Sequence, residues 1–309
     1  MTTVQQAYEH LRTQLQTFYD NREAAAIAAA VTAHITGLDN TGRIIHKHQQ
    51  LTEEQLQQFQ SMQYELLQQK PLQYVLHEAS FYGMPLYVNE NVLIPRPETE
   101  ELVDWITQVV KEQDTKDKIQ DARKQEDTTA LSSIFNQLCS ILDVGTGSGC
   151  IPIALKKHLP FAAVYAIDIS EKALTVAKKN AEAQGTTIHF YELDILNKNQ
   201  WEQLCLFDII VSNPPYITQK EAADMHSNVL QFEPHTALFV PDEQPLLFYK
   251  AIAHFGLQHL NNNGLLFFEI NEAYGKEIVE MLQSRGYTNV ELKKDMQGKE
   301  RMIKATLLR

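Results

Sequence analysis

The sequence predicts an α/β fold in which a parallel sheet is covered by helices on both faces and is preceded by a small helical bundle. Two patterns predict it. After about residue 133, short apolar segments alternate with segments of helical periodicity, as in parallel strands joined by helical crossovers. Before Pro71 the chain has no proline and little glycine, and its apolar residues recur in steps of three and four. A length of 309 residues is enough for two domains.

The composition excludes several classes of protein. Hydrophobic residues make up 44% and charged residues 21% of the chain, which excludes a disordered, collagenous or coiled-coil protein. The net charge of −12 disfavours binding to duplex DNA, which relies on clustered Lys and Arg. Three cysteines without a Cys-x-x-Cys pair predict neither a disulfide framework nor a zinc site. Since we find no signal peptide and no apolar run of about 18 residues, we expect a cytoplasmic protein without membrane spans.

Residues 1–70 are expected to form a helical domain that carries no catalytic motif. Thr52 and Gln55 form a capping-box pattern at the start of one of its helices. Residues 39–42 have the composition of a loop. We expect it to serve as a structural or docking domain.

A change of pattern separates this domain from the rest of the chain. Residues 71–95 are mostly β-type and predict a β-hairpin linker. The second domain is expected over 96–309, and Pro97 suits the first turn of its first helix. Residues 111–132 are mostly charged and are expected to form an exposed insertion.

The second domain contains five segments that predict parallel strands and two that predict an antiparallel pair closing the sheet. Helical patterns fill the gaps between them, for example over 171–184 and 244–259. The parallel candidates are 140–144, 164–167, 188–192, 208–212 and 265–270, and the closing pair is 290–293 with 301–307.

A glycine-rich turn, Asp143-Val-Gly-Thr-Gly-Ser-Gly149, lies directly between the first strand candidate and a helix. Gly145 and Gly147 allow the backbone to approach a ligand, and Gly149 lets the helix start against the strand. The spacing is that of neither the dinucleotide fingerprint nor a Walker A loop. A tight turn that binds no ligand is the alternative.

Acidic residues follow the next two strand candidates. Asp168, about 20 residues after Gly147, can accept hydrogen bonds from both ribose hydroxyls of a nucleoside. Asp168 has no basic neighbour in the sequence that could bind a 2′-phosphate. Asp194 can face an adenine amino group. Helix capping is the alternative for both residues.

The tetrapeptide Asn213-Pro214-Pro215-Tyr216 follows the fourth strand candidate. Two prolines impose an extended backbone and prevent a helix, so the Pro214 carbonyl can accept a hydrogen bond beside the side-chain carbonyl of Asn213. Two convergent acceptors suit an NH₂ group, which has two protons to donate. Tyr216 offers a ring for stacking on a planar group. A merely structural turn is the alternative.

These three motifs resemble those of S-adenosylmethionine-dependent methyltransferases that modify planar NH₂ nitrogens. That group includes adenine-amino DNA methyltransferases and protein glutamine methyltransferases. Further segments resemble the release-factor glutamine methyltransferase family, in the family's order and over nearly the whole chain. They are 71–76, 81–83, 91–100 and 232–238, with Lys294, Asp295, Gly298 and Arg301. The chain departs from the family at His77, where glycine is common, and in the stretch after Leu238.

The resemblance implies a Rossmann-like, seven-stranded methyltransferase domain and an N-terminal domain that docks the substrate protein. It implies that the protein uses S-adenosylmethionine. We expect a monomer, and because the sequence contains no metal-ligand cluster we expect no metal. The substrate would be the side-chain amide nitrogen of the glutamine in the Gly-Gly-Gln motif of class I peptide chain release factors. The implied catalytic residues are Asn213, Pro214 and Tyr216. The implied cofactor-binding residues are Gly145, Thr146, Gly147, Ser148, Gly149, Asp168, Asp194 and Asn213. The implied substrate-binding residues are Asn213, Pro214, Pro215, Tyr216, Arg96 and Glu98.

Other interpretations stay open at this point. Arg96 and Glu98 can instead serve helix capping and surface pairing. The protein could be an adenine-amino nucleic-acid methyltransferase, which its net acidity and its whole-chain likeness disfavour. It could also be an inactive methyltransferase-like binding protein, which the intact glycine loop, Asp168 and Asn213 disfavour.

Overall fold

The computed structural model describes residues 2–124, 139–225 and 227–309. Contacts within the chain define two compact units. The first unit consists of residues 1–78, 88–90 and 226–232, and the second unit consists of the other residues. The expected domain boundaries after residues 70 and 95 remain a prediction.

The first unit is built mainly from helices near the N-terminus, as the sequence predicts. They are α1 (Val4–Leu15), α2 (Asn21–Thr36), α3 (Asn40–Ile45), α4 (Glu53–Leu67) and α5 (Leu72–Leu76). The predicted capping box opens α4: the Thr52 hydroxyl accepts from the Gln55 amide at 3.2 Å, and the Gln55 side chain accepts from the Thr52 amide at 3.0 Å. Leu11, Leu15 and Val31 are fully buried in the apolar core of the unit.

Two local predictions in this unit are wrong. Residues 39–42 have loop composition, yet α3 begins there because Asp39 caps it, with its Oδ1 accepting from the Gly42 amide at 2.7 Å. Residues 71–76 form α5 instead of the start of a hairpin. Tyr74 is fully buried in that helix, and burial outweighs the β propensity of its side chain.

The hairpin is therefore narrower than predicted and consists of β1 (Glu78–Phe81) and β2 (Met84–Tyr87). Its turn places Tyr82 and Gly83 in the left-handed region, with φ of 52° and 71°. His77, just before β1, also has a left-handed φ of 54° and ends α5. Glycine adopts this conformation without strain, which explains why it is common at this position in the family that the sequence resembles.

The second unit is built on a seven-stranded sheet, which confirms the predicted fold class. The sheet order is β10-β11-β9-β6-β3-β4-β5; β10 and β11 run antiparallel to their neighbours and the other pairs are parallel. A separate two-stranded sheet pairs β7 with β8. The strands are β3 (Ser140–Val144), β4 (Ala163–Asp168), β5 (His189–Glu192), β6 (Phe207–Ser212), β7 (Ile217–Thr218), β8 (Phe239–Val240), β9 (Leu260–Glu269), β10 (Tyr287–Lys294) and β11 (Glu300–Leu307).

All seven strands of this sheet fall on the predicted segments, and β9 differs most from its prediction. It begins at Leu260, before the apolar segment that starts at residue 265. Backbone pairing explains the difference, since Leu260 pairs with Phe207 and Gly264 with Leu307 whatever their side chains. An apolar pattern cannot reveal pairing of this kind.

Helices cover both faces of the sheet. They are α6 (Pro97–Lys124), α7 (Cys150–His158), α8 (Glu171–Ala183), α11 (Leu247–His259) and α12 (Gly275–Ser284). Two short helices precede α11: α9 (Ser227–Phe232), which belongs to the first unit, and α10 (His235–Leu238). As predicted, α6 begins at Pro97, and its backbone continues through the first part of the charged stretch. Residues 125–132 of the expected insertion lie outside the described residues, so that prediction is not tested.

Alternation along the strands supplies a separate core on each face. Leu142 and Ile210 belong to an apolar cluster that includes α11 and α12. Ile141 and Ile209, one position earlier on the same strands, belong to a cluster that includes α6 and α7. The alternation of neighbouring residues between two cores is the period of two that a strand imposes on its side chains.

The topology brings the predicted motifs to one edge of the sheet. From β3 the chain moves outward through β4 and β5, then returns to the other side of β3 as β6. Ligands bind at the carboxyl ends of the strands where the order reverses in this way. Val144 pairs with Ile167 and with Ser212, and Ser212 pairs with Phe268, so the turns that follow these strands begin at the same level.

Candidate active site

The glycine loop after β3 is held by the end of β4. The amides of Gly145 and Thr146 both donate to the carbonyl of Ile167, at 2.9 and 3.0 Å. Gly145 and Gly147 have left-handed φ of 77° and 54°, and a Cβ on either would meet no atom within 4 Å. The two glycines therefore border open space at the sheet edge, where a ligand can approach the backbone closely.

Helix α8 supports the other side of the loop. Gly149 starts α7 with a φ of 80°, and a Cβ there would come within 3.1 Å of Ala177, so only glycine permits this close packing. Asn180 is buried and its Nδ2 donates to the carbonyls of Ser148 and Tyr87, each at 2.9 Å. Its Oδ1 accepts from the Tyr87 amide at 2.7 Å. One buried amide thus ties the loop to β2.

Asp168 lies at the end of β4 and binds the loop directly. Its Oδ2 accepts from the Gly147 amide and its Oδ1 from the Ser170 amide, both at 2.9 Å. Burial raises the pKa of Asp168, and the hydrogen bonds from these backbone amides oppose the rise. Ser170 is the residue that caps α8, so capping does not account for Asp168. Each carboxylate oxygen has a further lone pair with which to accept a hydroxyl.

Asp194 lies beside Asp168 at the same edge. The two strand ends meet because the Leu193 amide donates to the Asp168 carbonyl at 2.9 Å. The Asp194 carboxylate accepts from the Leu196 amide at 2.8 Å and so stabilises the local turn. Its predicted contact with an adenine amino group stays a prediction.

Asp143 is a candidate site residue that sequence reasoning missed. It is fully buried, and its carboxylate interacts with the hydroxyl of Thr146, three residues further along the loop. Burial raises the pKa of Asp143 to about 7, and the contact with Thr146 opposes the rise. A carboxylate buried next to the loop fits S-adenosylmethionine, which carries sulfonium and ammonium charges.

The Asn-Pro-Pro-Tyr turn starts next to the glycine loop. The Ser212 hydroxyl at the end of β6 donates to the Val144 carbonyl at 2.7 Å. Asn213 follows, and its Nδ2 donates to Thr99 Oγ1 at 3.2 Å. The amide nitrogen of Asn213 therefore faces α6, and its Oδ1 is the end turned away from Thr99. Pro214 is buried and Pro215 half-buried, and neither has an N–H to donate.

Glu269, the last residue of β9, was also missed. Its side chain is buried, with the residue 2% exposed, and it accepts from the Thr99 hydroxyl at 2.6 Å and from the Tyr216 hydroxyl at 3.3 Å. Burial raises the pKa of Glu269, whereas the bond from Thr99 and the charge of Arg301 lower it. The available signal was a lone acidic residue in the otherwise apolar segment 265–270.

Tyr216 is more than a surface for stacking. Its hydroxyl is bonded to Glu269, and its carbonyl accepts from Asn271 Nδ2 at 3.3 Å. Burial, together with the charge of Glu269, raises the pKa of Tyr216. These contacts make Tyr216 an anchor for the turn, while stacking on a substrate stays a prediction.

Arg96 has a buried acidic partner. Its Nη2 lies 2.7 Å from Glu233 Oε1, and the Glu233 side chain is 1% exposed. The Ile94 amide also donates to Glu233, at 3.3 Å. Arg96 thus forms an ion pair with a buried carboxylate, and its role in substrate binding stays a prediction. Glu98 lies in the first turn of α6, and its charge contributes to the raised pKa of Glu269.

No group of three or more His, Cys, Asp or Glu residues in the described ranges is placed to hold a metal ion. None of the described helices combines the length and apolar character that a membrane span requires. The expectation that the reaction uses no metal stays a prediction.

Comparisons with known proteins identify the family. Family models match twice: the PrmC N-terminal domain over residues 6–76 and the Methyltransferase small domain over residues 124–233. A release factor glutamine methyltransferase from Flavobacterium psychrophilum is 44% identical over 290 residues, which cover 94% of this chain and 94% of that protein. The chain belongs to the release factor glutamine methyltransferase family.

Other relatives agree. A release factor glutamine methyltransferase from Bacteroides thetaiotaomicron is 39% identical over 96% of this chain and 97% of its own. The crystal structure of the hMettl16 catalytic domain in complex with MAT2A 3′UTR hairpin 6 is 16% identical with a TM-score of 0.52, over 83% of this chain and 82% of that one, and it shows the fold alone. Family membership confirms the predicted S-adenosylmethionine-dependent methyltransferase and its methyl donor.

The first prediction concerns Asp168. Asp168→Ala is expected to weaken S-adenosylmethionine binding by about tenfold or more, the equivalent of one charge-assisted hydrogen bond. Calorimetric titration measures the affinity. Asp208→Ala is the matched control, because the Asp208 carboxylate accepts from the Ser140 amide at the opposite end of the strands. Equal affinity of wild type and Asp168→Ala would contradict the assignment.

The second prediction is a pH dependence of stability that comes from Asp143. Since its pKa rises from 3.8 to about 7 on folding, the folded protein binds this proton more tightly than the unfolded chain does. The resulting stabilisation is complete below pH 3.8 and is lost as the pH rises through about 7. Asp143→Asn cannot titrate and so keeps its stability as the pH rises. Between about pH 5 and 8 the free energy of unfolding of wild type should therefore fall by about 2–3 kcal/mol relative to that of Asp143→Asn.

Urea unfolding followed by tryptophan fluorescence measures this gain. Both tryptophans, Trp105 and Trp201, lie in the second unit with Asp143 and report on its unfolding. Curves of stability against pH that run parallel for the two proteins would show that Asp143 does not titrate in this range.

Proposed function

We propose that the protein transfers a methyl group from S-adenosylmethionine to the side-chain amide nitrogen of the glutamine in the Gly-Gly-Gln motif of class I peptide chain release factors. The observation that supports this most strongly is the Asn213–Tyr216 turn, joined to the glycine loop through Ser212, in a chain that resembles release factor glutamine methyltransferases over most of its length. The activity belongs in the cytoplasm, where release factors terminate translation.

The turn suits an amide substrate. The donor, when bound, supplies an electrophilic methyl group on a positively charged sulfur. The amide nitrogen is a weak nucleophile because its lone pair is delocalised into the carbonyl. Asn213 Oδ1 and the Pro214 carbonyl accept hydrogen bonds from the two N–H groups of the substrate amide. These bonds orient the nitrogen and favour its loss of planarity. We assign no residue as general base.

The cofactor residues act through the groups that the structure describes. Gly145 and Gly147 leave room for the donor at the sheet edge, and Thr146 lies between them in the same loop. Each carboxylate oxygen of Asp168 already accepts one backbone amide, and its remaining lone pair accepts a hydrogen bond from a ribose hydroxyl. Asp194 accepts from the adenine amino group.

Methyl transfer with a labelled donor tests this function. Intact release factor should become labelled, and a release factor whose motif glutamine is replaced by alanine should not. Duplex DNA, the substrate class of the alternative function, should stay unlabelled. Tandem mass spectrometry should place the methyl group on the glutamine side chain. Label on DNA, or on another residue of the release factor, would refute the proposal.

The third prediction separates chemistry from cofactor binding. Asn213→Ala is expected to lower the single-turnover rate of methyl transfer by about 10²–10³, the scale of a lost transition-state partner. Its affinity for S-adenosylmethionine should change little. Asn199→Ala removes an exposed asparagine and is the control. If Asn213→Ala transferred methyl within a few-fold of the wild-type rate, Asn213 would have a structural role only.

We further propose that the N-terminal helices dock the release factor. A tripeptide offers little surface, whereas recognition of a folded protein usually buries on the order of 1,600 Å². No residue of α3 is buried, and Ile44 and Ile45 at its end are 61% and 71% exposed. Adjacent exposed isoleucines are available for an apolar contact with a protein partner.

The fourth prediction tests this docking. The double change Ile44→Ser with Ile45→Ser should raise the KM for folded release factor by about tenfold or more, since burial of even one isoleucine contributes about 1.5–3 kcal/mol. The kcat should stay unchanged, because the lost contacts are remote from the methyl group. Steady-state kinetics at varied release factor concentration measure both. Leu206→Ser, at a half-exposed leucine just before β6, is the control. An unaltered KM in the double variant would rule out docking through α3.

A further inference from the structure

We propose that Thr99 and Glu269 are positioning residues that determine which end of the Asn213 side-chain amide faces the substrate. The inference rests on the proposed function, since it concerns the acceptor that Asn213 presents to the glutamine amide. Neither residue touches the reacting atoms, and both act through the hydrogen bonds of the turn.

The direction of the hydrogen bonds from Asn213 to Thr99 and from Thr99 to Glu269 follows from the chemistry of the Glu269 carboxylate. An ionised carboxylate only accepts, so the Thr99 hydroxyl uses its single proton to donate to Glu269, at 2.6 Å. Thr99 Oγ1 can then only accept a hydrogen bond from Asn213, through its lone pairs. Asn213 meets them with an N–H, and its Nδ2 lies 3.2 Å from the hydroxyl oxygen.

This direction matters because an asparagine amide can rotate by half a turn with little change in shape. The rotated amide would place Oδ1 against the lone pairs of Thr99 and Nδ2 against the N–H groups of the substrate. Both encounters pair like with like and are unfavourable. The bond to Thr99 therefore selects the orientation in which Asn213 Oδ1 is the acceptor for the substrate nitrogen.

The same carboxylate holds the other end of the turn. Glu269 accepts from the Tyr216 hydroxyl at 3.3 Å, so Asn213, through Thr99, and Tyr216 share one anchor. The anchor is itself held firmly, because Glu269 ends a strand that pairs with Met302 of β11, and its carbonyl accepts from the buried Tyr249 hydroxyl at 3.3 Å. A positioning group on a rigid strand places its partners more accurately than one on a loop.

Thr99 variants of the full-length protein test the inference. Thr99→Val keeps the shape but removes the hydroxyl, and it should lower the kcat for release factor methylation by about tenfold, the effect of one lost hydrogen bond. Thr99→Ser restores the hydroxyl and should recover most of the kcat. The KM for release factor and the affinity for S-adenosylmethionine should stay within about twofold of wild type, because the lost bond acts on orientation. Thermal unfolding shows that each variant is folded.

Glu269→Gln gives an independent measurement. It removes the charge and replaces one acceptor by an NH₂ group, so the hydroxyl protons lose their fixed direction, and the kcat should fall by about tenfold or more. The matched control for Thr99→Val is Thr107→Val. Thr107 is a buried threonine of the same helix, and within the described chain its hydroxyl has no hydrogen-bond partner, so its loss should leave the kcat unchanged.

The outcomes separate this inference from the function on which it rests. If wild-type protein does not methylate release factor, the proposed function fails and the inference fails with it. If wild type is active, wild-type kcat in Thr99→Val overturns the inference alone. So does a Thr99→Ser variant as slow as Thr99→Val, or a Thr107→Val variant equally slow, because a general packing defect would then explain the loss. Should Thr99→Val not fold, wild-type kcat in Glu269→Gln is the overturning result.

Discussion

A buried carboxylate at the end of β9 holds the turn on which the proposed chemistry depends. Glu269 accepts from the hydroxyls of Thr99 and Tyr216, and Thr99 accepts from Asn213. Burial of a charge is unfavourable unless hydrogen bonds and opposite charge compensate for it. The two hydroxyls and the charge of Arg301 provide that compensation, and the same bonds fix the Asn-Pro-Pro-Tyr turn in one orientation.

The sheet makes this arrangement possible by ending its strands at one level. The glycine loop, Asp168, Asp194 and Asn213 all lie at the ends of neighbouring parallel strands, and the registers place them along a single edge. Asp168 then binds the loop and Ser212 binds the end of β3. The proposed cofactor site and the proposed substrate site are therefore adjacent because two neighbouring strands, β3 and β6, end together.

Much of this fold follows from local patterns, and much of the site does not. Alternating apolar segments predicted the strands, and the Thr52 box and Pro97 predicted two helix starts, because those signals act within a few residues. The pairings of Glu269 with Thr99 and of Glu233 with Arg96 join residues 170 and 137 positions apart, and no spacing rule connects them. Helix α5 was missed for a related reason, since the burial of Tyr74 depends on the folded chain. The comparisons established the family, whereas the roles of individual site residues rest on geometry.

The central claim is that Thr99 acts on methyl transfer only through Asn213, and a double-mutant cycle tests this most directly. Single-turnover methylation of folded release factor would be measured for wild type, Thr99→Val, Asn213→Ala and the double variant. The account predicts that Thr99→Val slows the reaction when Asn213 is present and has no further effect once Asn213 is alanine. An equal loss from Thr99→Val in both backgrounds would contradict it, because Thr99 would then act without Asn213.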